Sequence, residues 1–332
     1  MKACEKLPAR RSFFRVAALS LSLWLAMFVS SLAHGGSARS GLQAFISHPA
    51  RAGRFQLTEA DLKELRAQLL KIVNHERALA KVPPLELDDL ANRVASEHAL
   101  DMATGNFLNH CGRDGSKPYH RYSFAGGIHG LLENVSVLNK VRTTNPSDLI
   151  KDLIYMHTTM HAEVPPDDGH RRNILAPHNT HIGFGIALHN DNLRLAEEYI
   201  ARYIEMVPFK QTSTPRDRFF LRGRLLNKKH ILKSVNIFYE PFPRPIDLDS
   251  LPPVAACGLP STFVTLYPKL PDGEFYADSS TGTIELGTRG WFVLPVELFK
   301  AEPGIYTIVF WVSKTPQGKP FAATNICIKS EK

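Results

Sequence analysis

The chain reads as an α+β protein, and three observations predict this. Apolar residues recur at helical spacing in segments 58–82, 88–105 and 147–161. After Thr214-Pro215 the texture changes to six or seven short strand-like runs separated by Pro and Gly, the pattern of an antiparallel, immunoglobulin-like β-sandwich. The composition, 44% hydrophobic and 22% charged over 332 residues, is that of a globular chain. It excludes a disordered tail protein, collagen, a low-complexity filament and a multi-span membrane protein. At roughly 100–200 residues per domain the length accommodates two domains. They are placed at 58–212 and 213–332, behind an export signal at 1–33 and a spacer at 34–57.

The first element is the leader. A basic stretch precedes the apolar run from Val16 to Leu32, which ends in the small-residue pattern Ser31-Leu32-Ala33, the layout of a cleaved secretory signal. Arg10-Arg11-Ser12-Phe13-Phe14-Arg15 resembles a twin-arginine export motif; ordinary unfolded export and an uncleaved anchor are the alternatives. The expected location is extracytoplasmic, periplasmic or secreted, with membrane association only through an uncleaved leader. The formal charge of +8 shrinks once the leader is set aside, because its five basic residues against Glu5 carry half of it. What remains is a mild excess without a long Lys/Arg run, which argues against a nucleic-acid partner.

The helices follow from their caps and stripes. Thr58 with Asp61 three residues later opens the first, Leu62, Leu65, Leu69, Ile72 and Val73 form its apolar face, and Pro83-Pro84 stops it. Asp88 or Asp89 opens the second, which ends near Gly105-Asn106, and Pro146 stands in the first turn of the third. The segment from Phe107 to Val135, rich in Gly, His and polar residues, reads as a folded loop of the kind that carries function. A short helical turn follows Gly169, Ile182 to Leu188 reads as a strand, and 193–207 as one or two strands, a reading weakened by Ala196-Glu197-Glu198. Trp291 and Trp311 read as sandwich core. Of the four Cys, Cys4 lies in the leader; Cys257 and Cys327 share the C-terminal half and are the expected disulfide, leaving Cys111 as a small buried thiol.

His110, Glu133 and His170 lie in three separate segments flanked by Gly or turn residues. Imidazoles and a carboxylate converging in a loop-built cleft can hold a divalent metal or perform acid/base chemistry; a polar network that merely orders the cleft is the alternative. His157 and His161 stand at i and i+4 on one helical face and are further cleft candidates, although Thr158 occupies the position where zinc peptidases place their Glu.

Eight local strings occur in one order. They are Asn74-His75-Glu76-Arg77, Pro84-Leu85-Glu86-Leu87, the run from Ala95 through Glu97-His98 to Ala103, Asn109-His110-Cys111-Gly112, Pro118-Tyr119-His120-Arg121-Tyr122, Glu133-Asn134-Val135, Gly169-His170-Arg171-Arg172-Asn173-Ile174-Leu175 and Ile182-Gly183-Phe184-Gly185. Over residues from about Leu65 to Phe209 this resembles the CAP superfamily (cysteine-rich secretory, antigen 5 and pathogenesis-related 1 proteins; SCP domain), in particular its bacterial branch. The resemblance implies an α-β-α sandwich with a central cleft lined by two His and two acids, which binds zinc or another divalent cation in some members. Position by position it assigns His110 and His170 as the two His and Glu133 as one acid. The second acid is Glu163 as a candidate, because this segment lacks the family's Trp and is extended by Val164-Pro165-Pro166-Asp167-Asp168.

The function expected from this reading is an exported CAP-domain protein that binds a divalent metal, zinc, and an extracellular or envelope ligand such as a lipid or sterol, without a settled catalytic activity. The rival reading is a metal-dependent hydrolase or peptidase with Glu133 as catalytic base. A third is adhesion through the β-sandwich.

Overall fold

Thr58 and Asp61 begin the first helix as their spacing requires. The Thr58 hydroxyl accepts from the Asp61 backbone N–H and the Asp61 carboxylate accepts from that of Thr58, so two otherwise unsatisfied donors are closed. This is a computed structural model, and it describes residues 57–142 and 145–332; the expected export signal and the expected spacer as far as residue 56 lie outside the described residues. Among the described residues no helix is long and apolar enough to cross a membrane.

Among the described residues five helices occupy the first part: α1 (Glu59–Leu79), α2 (Asp89–Gly105), α3 (Pro118–Phe124), α4 (Pro146–His161) and α5 (Gly169–Leu175). Asp88 caps α2 and Asn145 caps α4, each through a side-chain oxygen. Asn106, in the left-handed conformation, ends α2. The accompanying strands are β1 (Glu86–Leu87), β2 (Gly130–Leu138), β3 (His181–His189) and β4 (Asn192–Ala201), in the order β1-β3-β4-β2.

Alternation along β3 and β4 divides the two faces of this sheet. Ile182, Phe184, Leu193, Leu195 and Tyr199 pack against Leu65, Leu69 and Val73 of α1 and Leu149, Leu153 and Met156 of α4. Ala187 and Ala196 meet Ala95, Ala99 and Met102 of α2. α2 lies close on that face because Gly183 and Gly185 present no side chain; a Cβ at either would collide with the backbone at Ala91 or Ala95. The result is an α-β-α sandwich.

The remaining strands are β5 (Ile204–Met206), β6 (Thr212–Ser213), β7 (Arg218–Leu225), β8 (Ile231–Glu240), β9 (Phe263–Leu266), β10 (Glu285–Leu286), β11 (Trp291–Glu297), β12 (Gly304–Ser313), β13 (Phe321–Ala322) and β14 (Ile326–Ser330). One sheet runs β10-β11-β7-β5. The other runs β6-β14-β12-β8-β9, with β13 on β12, and is antiparallel except for β6 on β14. Leu221, Phe292 and Leu294 of the first sheet and Val235, Ile237, Ile308 and Phe310 of the second share one core, and the Phe292 and Phe310 rings meet at 5.0 Å.

The described residues from 57 to 332 fall in one compact unit, so the helical and all-β regions are directly joined. Gly130 N–H donates to the Ala323 carbonyl at 2.9 Å, Leu131 N–H to Asn325 Oδ1 at 2.8 Å, and Ile246 N–H to the Arg113 carbonyl at 2.9 Å.

Four expectations change here. The segment from Phe107 to Val135 is not all loop: it contains α3 and the start of β2, whose polar residues pair with β4 and are buried. Glu197 and Glu198 do not weaken β4 but sit mid-strand, one on each face. Trp291 is 43% exposed and Trp311 half-buried, because on β11 the residues Phe292, Leu294 and Val296 take the inward positions. The disulfide joins Cys111 to Cys257, with Cα atoms 5.5 Å apart, and Cys327 is a free, buried thiol. Cys257 lies on a segment that returns across the helical region, whereas Cys327 points from β14 toward Thr307 and the Tyr119 carbonyl, out of its reach. Burial raises the Cys327 thiol to about 12, so it is an inert packing residue.

Candidate functional site

His110 stands in the loop that leaves α2, and its neighbours fix that loop. The Asn109 side chain accepts from Cys111 N–H and donates to the Pro252 carbonyl, both at 2.9 Å. From α3, Arg121 donates to the carbonyls of His110 at 2.9 Å and Ser116 at 3.0 Å, and to Glu133 Oε2 at 2.6 Å. Glu133 projects from β2, and its Oε1 accepts from His110 Nδ1 at 2.7 Å. Burial would push the Glu133 carboxyl up, but Arg121, His98 and His110 together outweigh it and hold it down at about 2. Both carboxylate oxygens are engaged, which makes Glu133 a group that orients His110.

The second half of the site is built the same way from α4 and α5. Glu163 follows α4; its Oε2 accepts from His170 N–H at 2.9 Å and its Oε1 from the His170 Nδ1. Burial opposes the Glu163 charge, but the hydrogen bonds and charge of His170 and the backbone N–H groups of His170 and Arg171 together outweigh it and lower its pKa. Each imidazole thus gives Nδ1–H to a carboxylate and keeps its Nε2 lone pair. No hydrogen bond occupies either Nε2 among the described residues. The His110 and His170 side chains are 17% and 32% exposed, and both rings with both carboxylates line one cavity of about 480 Å³.

The donor chemistry defines what cation this cleft fits. Two imidazole lone pairs are free and the acids serve as outer partners; no group of three or more His, Cys, Asp or Glu able to hold a metal gathers among the described residues. A closed four-ligand structural zinc does not fit, whereas an open cation with two protein ligands and water in its other positions does.

His157 and His161 are not part of this cleft, which corrects that expectation. His157 is fully buried on the α1/α4 face, its Nδ1 2.6 Å from Glu197 Oε1 and its Nε2 2.7 Å from Glu76 Oε2. Burial opposes its charge, but Glu197 and Glu76 outweigh that and hold its pKa at about 10. His161 stands 3.4 Å from the other oxygen of Glu76, so the i, i+4 pair shares a carboxylate. Arg171 docks α5 by donating to the His161 carbonyl, while Arg172 stays at the cleft mouth, paired with Asp168 at 3.0 Å.

Two residues beside the site do not stand out in the sequence as functional groups. His98 is buried, donates from Nε2 to the Asn109 carbonyl at 2.9 Å, and is held neutral by burial and Arg121, with a pKa near 4. Glu198, opposite Glu133 in the sheet, has neither oxygen hydrogen-bonded, and burial together with the Glu133 charge raises its pKa well above the ordinary value. Its proton is held more tightly than that of an ordinary carboxyl, beside the ionised Glu133. The signal for Glu198 is the Glu197-Glu198 pair inside an otherwise apolar strand, opposite Glu133-Asn134.

Residues 70–201 match the model of the cysteine-rich secretory protein (CAP) family. A curated relative, the uncharacterized protein YkwD of Bacillus subtilis, is 28% identical over 141 residues, covering 41% of this chain and 49% of its own. The chain therefore spans about half the length of that relative. Among solved structures, an outer surface protein of Borrelia burgdorferi is similar with 15% identity and a TM-score of 0.33, over 42% of this chain and 94% of its own. An SCP-domain extracellular protein of Bacillus anthracis is similar with 19% identity and a TM-score of 0.32, over 44% and 45%. With its α-β-α sandwich and the family match across the residues that build the cleft, the chain carries a CAP domain of the cysteine-rich secretory protein family.

Proposed function

We propose that the protein is exported and acts outside the cytoplasm as a binding protein, taking a lipid-like or other envelope ligand at the His110/Glu133/Glu163/His170 cleft with a divalent cation, zinc, held by the two imidazoles. The observation that carries this is the paired construction: each ring is pinned through Nδ1 by a carboxylate and leaves Nε2 free, and both rings line the same cavity. When bound, the cation supplies a Lewis-acidic anchor for an oxygen of the ligand. The protein's own groups do the rest. Glu133 and Glu163 fix the ring tautomers, Arg121 keeps Glu133 ionised, and Arg172 places a positive charge at the mouth. A Glu133 with two engaged oxygens and a pKa of about 2 is a poor proton acceptor, which favours binding over hydrolysis. The two C-terminal sheets are read as an immunoglobulin-like accessory sandwich.

The test is calorimetric titration with zinc, comparing the protein with a His110→Ala/His170→Ala variant and with Glu133→Gln. Saturable binding, abolished in the double variant and weakened about 10–100-fold in Glu133→Gln, is expected. Equal binding by all three would contradict the assignment.

A further inference from the structure

The two sheets of the all-β region differ in what lies on their outer faces. On the second sheet Ile305 of β12 and Cys327 of β14 pack outward against Tyr119 of α3, so that face lies under the helical region. The outer face of the first sheet is open. Alternation turns Leu221, Gly223 and Leu225 of β7 and Phe292, Leu294 and Val296 of β11 inward. Phe220, Arg222 and Arg224 of β7 and Trp291, Val293 and Pro295 of β11 therefore point outward, and Phe220 is 60% exposed.

The register arranges these side chains around Arg222. Across the strand pair Phe220 stands opposite Pro295, Arg222 opposite Val293 and Arg224 opposite Trp291. Phe220, two residues along β7, and Trp291, on the diagonal, are thus each roughly 7 Å from Arg222 by sheet geometry. An exposed ring stands on either side of one guanidinium.

The cations of this face are not equivalent. Arg218 is paired with Glu297 at 3.1 Å. Arg224 donates to Glu205 Oε2 of β5 from Nε at 2.7 Å and from Nη2 at 2.6 Å, and its guanidinium lies 5.9 Å from the centre of the Trp291 ring. Arg222, between them, is exposed and its side chain has neither an ion pair nor a hydrogen bond among the described residues. A planar guanidinium pairs an acidic group through two parallel hydrogen bonds, and an exposed aromatic face packs against the C–H face of a sugar ring. A second copy of the same face would instead set cation against cation.

We propose that this open face binds a linear anionic polysaccharide, with sugar rings on Phe220 and Trp291 and an acidic substituent between them on Arg222. The face shares no residue with the His110/Glu133/Glu163/His170 cleft. The all-β region then holds the chain to an acidic polymer, and the cleft takes its own ligand independently.

The test is calorimetric titration of the full-length protein, at physiological ionic strength, with alginate oligosaccharides, which carry carboxylates, and heparin oligosaccharides, which add sulfates. Neutral dextran oligosaccharides and oligo-dT are the comparisons. Saturable binding of an acidic oligosaccharide but not of dextran is expected. It should weaken at least about tenfold in Arg222→Ala and in Phe220→Ala/Trp291→Ala, all exposed positions, with circular dichroism verifying the fold. Lys63→Ala, which removes one exposed charge from α1, should leave it unchanged. Failure to bind either acidic oligosaccharide, or equal binding by the folded face variants, would overturn the proposal. So would a loss in Lys63→Ala as large as in Arg222→Ala, which marks net charge alone, or tighter binding of oligo-dT that the face variants abolish. Zinc titration of Arg222→Ala should match that of the wild type, so failure at this face and failure at the cleft are read separately.

Discussion

Replacing His157 with leucine is expected to destabilise the fold by about 3–5 kcal/mol, among the largest effects of any single substitution. The imidazolium stands between Glu197 and Glu76 inside the α1/α4 core, and Glu197 also accepts from the Tyr199 hydroxyl at 2.7 Å. Without the ring, two carboxylates face one another in a region that water does not reach. Adding Glu197→Gln to His157→Leu should recover a large part of the loss, because the uncompensated buried charge goes with it. The pH dependence gives an independent check. The His157 pKa is raised on folding to about 10, so its stabilisation is complete below the ordinary value near 6.5 and is lost as pH rises toward 10. Denaturant unfolding of the wild type should therefore lose about 1.4 kcal/mol per pH unit across that window relative to His157→Leu. A constant difference between the two proteins over the same range would contradict the network.

Removing the Cys111–Cys257 disulfide should cost about 2–5 kcal/mol, because it closes a loop across 146 residues of chain. A Cys111→Ser/Cys257→Ser variant should melt well below the wild type, and reduction of the wild type by a thiol should reproduce the loss. Cys327→Ala should leave the response to reductant unchanged, since Cys327 is free. A thiol-induced drop in melting temperature that requires Cys327 would contradict this pairing.

The helices are legible in the sequence because their information is local: a capping box at Thr58, the Asp88 cap, Pro146 in a first turn and apolar residues at helical spacing. His110, Glu133 and His170 emerge as a trio through residue type and flanking turns, and Glu163 only as a candidate through the resemblance to the CAP superfamily. What stays hidden depends on partners distant in sequence. β2 carries Glu133-Asn134 where an ordinary strand would carry apolar residues, and those side chains are acceptable only because Arg121, His110 and Asn173 meet them there. His157 and His161 face a helix-borne carboxylate from α1 that helical spacing alone does not reveal. The expected cysteine pairing fails for a similar reason: nearness along the chain is not nearness in space, and the segment around Cys257 crosses back to the CAP domain. Residue type alone puts Trp311 in the core, but its position on β12 places it at the junction of the two regions.

The central claim is that Glu133 and Glu163 hold His110 and His170 by Nδ1 and leave Nε2 for a ligand. Long-range nitrogen–proton NMR correlation of the histidine rings at mildly alkaline pH tests it most directly. The account predicts that both rings carry their proton on Nδ1, and that zinc shifts the Nε2 resonances of these two and of no other histidine. A proton on Nε2 of either ring, or a zinc response that bypasses His110 and His170, would contradict it.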